Sequence, residues 1–319
     1  MPITVATPTA VSALSLAIDS GNDVAYLTQD VPATTATYHV CSPPNYSCAV
    51  IGPSGAIPGG QLLTVDGSGN AYATQLSGEN SGVIKFNLGT GPTSTSLVYT
   101  SVSQPGAYYG VVASAGGTVG VVYVAEGPAN AVNGAGITIH ACSSPCAAGG
   151  TDITAALRTS MGSPTANFSG ALGIDGLGDL VVGLSNTAGS SNAASTVTIA
   201  IVCAMPSSTF QCQSTSFLSA TFTSVDGLSP WDGTAGIAVD PSSNIYTAAF
   251  LHSGGSSTAL PSIYAYTDND TFQPFQCSTT TGTPAVPNCP INQLPGVPAS
   301  TPGAQPAPYS IAATRISSL

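Results

Sequence analysis

One short pattern recurs along this chain of 319 residues. At residues 16–28 it reads LAIDSGNDVAYLT: an apolar run, an Asp, a Gly-Asn turn and a second apolar run. It returns as LTVDGSGNAYAT at 63–74, LGIDGLGDLVVGL at 172–184 and IAVDPSSNIYTA at 237–248, with weaker copies at 111–125 and 309–316. Two apolar runs joined by Gly, Asn, Asp and Ser form a β-hairpin, because those residues accept the backbone angles and local hydrogen bonds of a tight reversal. One hairpin cannot bury its own apolar face, so its copies must pack on one another.

Registering the copies on Asp19, Asp66, Ser114, Asp175 and Asp240, with Ala313 as an approximate sixth, measures the repeat. The steps from 19 to 66 and from 66 to 114 are 47 and 48 residues, and the later steps are longer through loop insertions. Each interval has room for four strands. The first repeat predicts strands at 14–18, 24–28, 35–41 and 48–51, and the second adds 83–87 and 96–100. ITIHAC, TVTIAIVC and IYAY are third strands of later copies. No helix-period pattern of about ten residues competes with these. The period and strand count predict an all-β chain, a β-propeller of six four-stranded antiparallel blades, with five blades as the alternative. Residues 1–13 form an N-terminal strand segment, and 14–319 a single propeller domain with a Pro-rich connection at 278–308. Only 309–319 remain for the sixth blade, so it is expected to be under-built. The N-terminal segment would then close the ring or be donated to a neighbouring chain.

The motif apolar-apolar-x-Asp-x-x-Gly-Asn-apolar-Tyr resembles the repeat of NHL and SMP-30-like six-bladed propellers. The likeness implies the propeller fold. Those repeats usually continue with an Arg-bearing strand, where this chain has Gln, Ser or Gly. The acidic metal ligands of the enzymatic branch have no counterpart here, so the resemblance implies no activity.

The eight cysteines fall into four close pairs: Cys41/Cys48, Cys142/Cys146, Cys203/Cys212 and Cys277/Cys289. Clustering of this kind favours local disulfides that staple strand hairpins. The rival reading is a metal knuckle at CSSPC, but a tetrahedral site needs two pairs brought together. Disulfides predict an oxidising compartment, hence an extracellular or cell-surface location, or else a disulfide-tolerant thermophile. The opening residues lack a basic n-region and an apolar h-region, so a leader removed earlier is the expectation. No run approaches the roughly 18 apolar residues of a membrane span.

Charge narrows the function. Only 5% of residues are charged, Lys85, Arg158 and Arg315 are the only basic ones, and the net charge is −11. Three scattered cations cannot neutralise a row of phosphates, so neither nucleic acid nor an anionic membrane surface is an expected partner. Solubility must come from Ser, Thr, Asn, Gln and glycans. Asn45, Asn167 and Asn269 each open an N-x-[ST] triplet and are candidate glycosylation sites.

The repeated Asp19, Asp66, Asp175 and Asp240 are candidates for acid–base or cation chemistry. An Asp ahead of a Gly-Asn turn also accepts hydrogen bonds from the amides that follow, and a residue repeated once per blade suits that structural role. Residues 66–70 imitate the start of a calcium loop, but Ser77 stands where its Glu should be. His39 and His140 both precede a cysteine by two residues on a third strand. Ile201 takes the equivalent place in the fourth repeat, which makes this a packing position. His252 stands alone in a loop-like region. No G-x-S-x-G elbow and no phosphate-binding Gly-rich loop occur.

The loops entering the innermost strands carry Tyr108, Tyr109, Phe168, Trp231, Asp232 and Tyr309. This aromatic set could stack on sugars or grip a partner, or equally plug the channel. Three functions follow. The first is a non-enzymatic structural protein of an extracellular filament or surface coat, polymerising by strand donation. The second is a secreted module binding glycan or protein through the aromatic mouth. The third is a lactonase-like propeller enzyme, which would need a metal. No cofactor is expected, and the expected partner is another copy of the chain or a surface protein or glycan.

Overall fold

A computed structural model describes residues 11–19, 21–30, 35–50, 56–77, 81–92, 97–101, 106–114, 121–129, 131, 135–143, 146, 149–162, 167–175, 178–185, 195–204, 211–222, 233–239, 245–252, 259–267, 273–274 and 289–290. The chain divides into two compact units. The first is drawn from Met1–Asn130 and Thr138–Thr154, and the second from Ala131–Ile137 and Ala155–Ile311.

The first unit contains three antiparallel sheets. The first sheet runs β1 (Val11–Ile18), β2 (Val24–Asp30), β3 (Thr35–Ser42) and β4 (Ser47–Val50), with β5 (Ala56–Pro58) also on the outer edge of β3. The second runs β6 (Leu63–Val65), β7 (Asn70–Gln75), β8 (Gly82–Asn87) and β9 (Leu97–Thr100). The third runs β10 (Ala107–Ala113), β11 (Val121–Gly127), β12 (Thr138–Ser143) and β13 (Thr151–Asp152). A short helix, α1 (Thr154–Ser160), follows; its first turn is held by Asp152, whose Oδ1 accepts the Thr154 amide at 2.9 Å. Neither α1 nor β5 is among the elements that the periodicity predicts. Strand β1 also begins at Val11, inside the segment that the sequence assigns to 1–13.

The second unit holds β14 (Asn167–Ile174), β15 (Leu180–Ser185), β16 (Ser195–Ala204) and β17 (Gln211–Phe222), then β18 (Gly233–Val239), β19 (Ile245–His252), β20 (Ala259–Thr267), β21 (Gln273–Pro274) and β22 (Cys289–Pro290). These form one nine-stranded sheet by pairing order, but its halves meet through a single residue pair, Ser185↔Gly233. It is two four-strand meanders hydrogen-bonded through that one pair, with β14 packed against β18 and with β21 and β22 sharing the outer edge of β20. Each of the copies at 19, 66, 114, 175 and 240 thus opens its own antiparallel meander, the strand order of a β-propeller blade. The copy near Ala313 lies outside the described residues. His252, predicted in a loop, instead ends β19 opposite Ala259, because the β19–β20 ladder runs without a register shift to that residue.

Burial explains why the strands read as nearly continuous apolar runs. Leu27, Tyr38 and Ile57 of the first sheet pack with Leu63, Ile84 and Phe86 of the second. Tyr72, Val83 and Tyr99 of the second pack with Tyr108, Val111, Val122 and Val124 of the third. The second sheet is covered on both faces, so β7 is buried at every position from Ala71 to Gln75. A strand covered on both sides has no solvent side on which to place polar residues. Each large side chain buried this way contributes about 1.5–3 kcal/mol.

Candidate functional site

The repeated aspartates are turn-builders. Asp19 Oδ1 accepts the amides of Gly21 and Asp23, each at 2.8 Å. Asp66 Oδ1 accepts those of Ser68 at 2.8 Å and Asn70 at 3.0 Å, and Asp175 Oδ1 accepts that of Asp179 at 2.8 Å. In each copy the Asp amide donates back to the carbonyl four residues on, closing the hairpin from both sides. Ser114 keeps the backbone bond, to Val121, with three more residues inside its turn. Burial alone would raise the pKa of Asp66, but hydrogen bonds from Asn70, Ser68 and Tyr72 outweigh it and hold the carboxyl below its usual range. Asp240 lies outside the described residues.

The imidazoles occupy matching places in two sheets. His39 stands opposite Tyr26 in the β2–β3 ladder, and His140 opposite Val124 in the β11–β12 ladder. His39 stacks on Tyr26 with ring centroids 4.7 Å apart and planes 6° from parallel, and its Nε2 is 2.8 Å from Thr28 Oγ1. His140 Nε2 is 3.0 Å from Thr138 Oγ1 and 3.7 Å from Glu126 Oε1. Both rings are buried, at 4% and 8% exposure. These are packing positions, and they exchange contacts with a polar residue two places further along the preceding strand.

Glu126 itself is the residue that sequence reading missed. It is 4% exposed and sits in a polar cluster between the second and third sheets. Ser101 donates to its Oε2 at 2.6 Å, and Tyr108 Oη lies 2.9 Å from the same Ser101 hydroxyl. Burial first, then the Glu126 carboxyl, pushes the Tyr99 hydroxyl well above its ordinary pKa. Tyr99 Oη and His140 Nδ1, also buried here, have no partner at hydrogen-bonding geometry. A signal was available in principle: Glu126 occupies the ladder place that Thr28 takes in the first sheet, each facing a Thr on the third strand.

The aromatic mouth requires correction. Tyr108, Tyr109 and Phe168 lie within strands β10 and β14, not in the loops before them. Tyr108 and Phe168 are core residues, at 4% and 0% exposure, because alternation along those strands turns them between sheets or under the Arg158 guanidinium, 5.6 Å from the Phe168 ring. Tyr109 is half-buried on a β-bulge, with its hydroxyl donating to the Pro128 carbonyl. Trp231, Asp232 and Tyr309 lie outside the described residues.

Cys41 and Cys48 form a disulfide directly across the β3–β4 hairpin, and Cys142 and Cys146 form another that closes the loop after β12. Cys203 is disulfide-bonded and faces Cys212 in the β16–β17 ladder. Cys289 is in β22, and Cys277 lies outside the described residues. Among the described residues no group of three or more His, Cys, Asp or Glu could hold a metal ion, and no helix is long and apolar enough to cross a membrane. Asn45 is exposed at the tip of the β3–β4 hairpin, Asn167 is half-buried at the start of β14, and Asn269 lies outside the described residues.

No protein-family model matches this sequence, and no curated protein matches it. Among solved structures, the chain is similar to one described as "Crystal structure of Nidogen/Laminin Complex", with 9% identity over 83% of this chain and 84% of that one and a TM-score of 0.44. It is also similar to one from a structural and mechanistic analysis of two prolyl endopeptidases, at 13% identity and a TM-score of 0.40, covering 85% of this chain and 42% of that one. Its disulfide-stapled antiparallel meanders have the strand order of β-propeller blades.

Proposed function

We propose that this chain is a non-enzymatic, extracellular structural β-propeller whose copies associate with one another, with repeats akin to those of NHL and SMP-30-like propellers. One observation carries the reading: the side chains with a chemical look are engaged in construction. The carboxyls of Asp19, Asp66 and Asp175 accept backbone amides of their own turns. Two disulfides close loops that follow third strands, a use of cysteine that suits an oxidising compartment. A surface with few charges lacks the usual barrier to self-association.

Imaging native material by negative-stain electron microscopy, beside size-exclusion chromatography of the purified protein, tests this directly. Regular assemblies outside the cell are expected. Discrete monomers in the culture medium would favour a binding module, for which the half-exposed Tyr109 on its bulge is the remaining described residue. Stoichiometric calcium or zinc in purified protein would instead revive an enzymatic reading. Deleting residues 1–10 tests strand donation by the N-terminal segment, which predicts that the truncated chain no longer assembles.

A further inference from the structure

The outer edges of the meanders are very unequal. In the first unit the outermost strands are β4, β5, β9 and β13, of four, three, four and two residues. In the second unit β20 is bordered by β21 and β22, of two residues each. Strand β17 has 12 residues, Gln211–Phe222, ends the pairing order of its sheet, and pairs among the described strands with β16 alone. Short outer strands are a usual way of blunting an edge, and charge, Pro and Lys are the others. The β17 sequence, QCQSTSFLSATF, contains no charged residue, no Pro and no Gly. Its pairing with β16 is continuous over 217–222, apart from one extra residue on the β16 side, and loosens toward 212. The paired part, FLSATF, therefore carries its outward backbone groups on a segment of β-forming residues with no charge to repel its own copy.

We propose that β17 is a self-association edge, taking as its partner β17 of a second copy of this chain, antiparallel over residues 217–222. The proposal rests on the self-associating reading above and moves the contact from the terminal segment to the outer strand of the fourth meander. Antiparallel pairing of identical strands is twofold and self-complementary, so each copy offers and receives the same surface. Being uncharged, the segment meets no like-charge opposition in that arrangement. The contact closes a dimer and joins two sheets into one.

Hydrogen exchange on the full-length native protein across a dilution series, read beside sedimentation, tests the contact. The amides of 217–222 that point away from β16 should be protected in the dimer and lose that protection on dilution to monomer, while those bonded to β16 stay protected throughout. The double variant Ser219→Lys and Thr221→Lys should weaken the dimer by about tenfold or more, because lysines on an edge strand oppose edge-to-edge pairing. Ala49→Lys, an exposed position on β4, should leave the dimer unchanged. A dimer or larger assembly whose outward 217–222 amides exchange freely would overturn this edge and leave self-association standing. Protection of the amides that point away from β16 in a monomer at every concentration would mean that the same chain covers the strand, which also overturns it. A chain monomeric at all concentrations with these amides exposed would sink both readings.

Discussion

Tyr72 donates its hydroxyl to Oδ2 of Asp66 at 2.9 Å, while the other carboxyl oxygen binds the turn that carries the chain between the two residues. Asn70 Nδ2 donates to the same Oδ2 at 2.8 Å, so both oxygens of a 7%-exposed carboxyl are satisfied. Tyr72→Phe removes one donor from a buried charge and should cost about 1–2 kcal/mol. Asp66→Ala removes the acceptor for the whole turn and should cost about 2–3 kcal/mol, both read from urea midpoints.

The same carboxyl predicts an acid response. Its folded pKa is depressed, so the stability it contributes is complete above the unfolded value, about 3.9, and is lost as pH falls through the lower folded value. Unfolding midpoints taken from neutral pH to about pH 2 should fall at the acid end, and Asp66→Asn should flatten part of that fall. An Asn variant with an unchanged acid limb would assign the loss to other groups.

Two glycines should respond differently to the same methyl group. Gly69 has φ of +78° and open space around its missing Cβ, so Gly69→Ala should cost only the conformational penalty, about 1 kcal/mol. At Gly82 an added Cβ would run into the Tyr99 carbonyl oxygen on β9, so Gly82→Ala should cost about 3 kcal/mol and disturb the β8–β9 pairing. Thermal midpoints of the pair separate the two effects.

Cys41 and Cys48 close a loop seven residues apart in sequence. Replacing both by Ser should cost about 2 kcal/mol, mostly by freeing the unfolded chain. Reductant should lower the melting temperature of the native chain and leave that of the double variant less affected.

Ser101 and Glu126 should prove coupled. Their 2.6 Å hydrogen bond joins the end of the second sheet to the third. A double-mutant cycle with Ser101→Ala and Glu126→Gln should return a coupling of about 1.5–3 kcal/mol, and a value near zero would show that the cluster tolerates separate repair.

What a sequence can determine by itself is local, and here the local part was large. The Asp-Gly-Asn turns, the meander order and the hairpin place of Cys41 and Cys48 all follow from residues a few positions apart. The first four copies open their strands close to where the periodicity puts them. Facing was harder. Tyr72 stands six residues after its Asp and Tyr26 seven, and the side-chain period of a strand is two, so the two tyrosines turn to opposite faces. One reaches back to Asp66, and the other stacks on His39. Only the stacking of sheets decided that Tyr108 and Phe168 are core and that Glu126 is buried, because exposure depends on what a neighbouring sheet places against each face. The recurring Asp announced the hairpins, and contacts between residues far apart in sequence settled which side chains they bury.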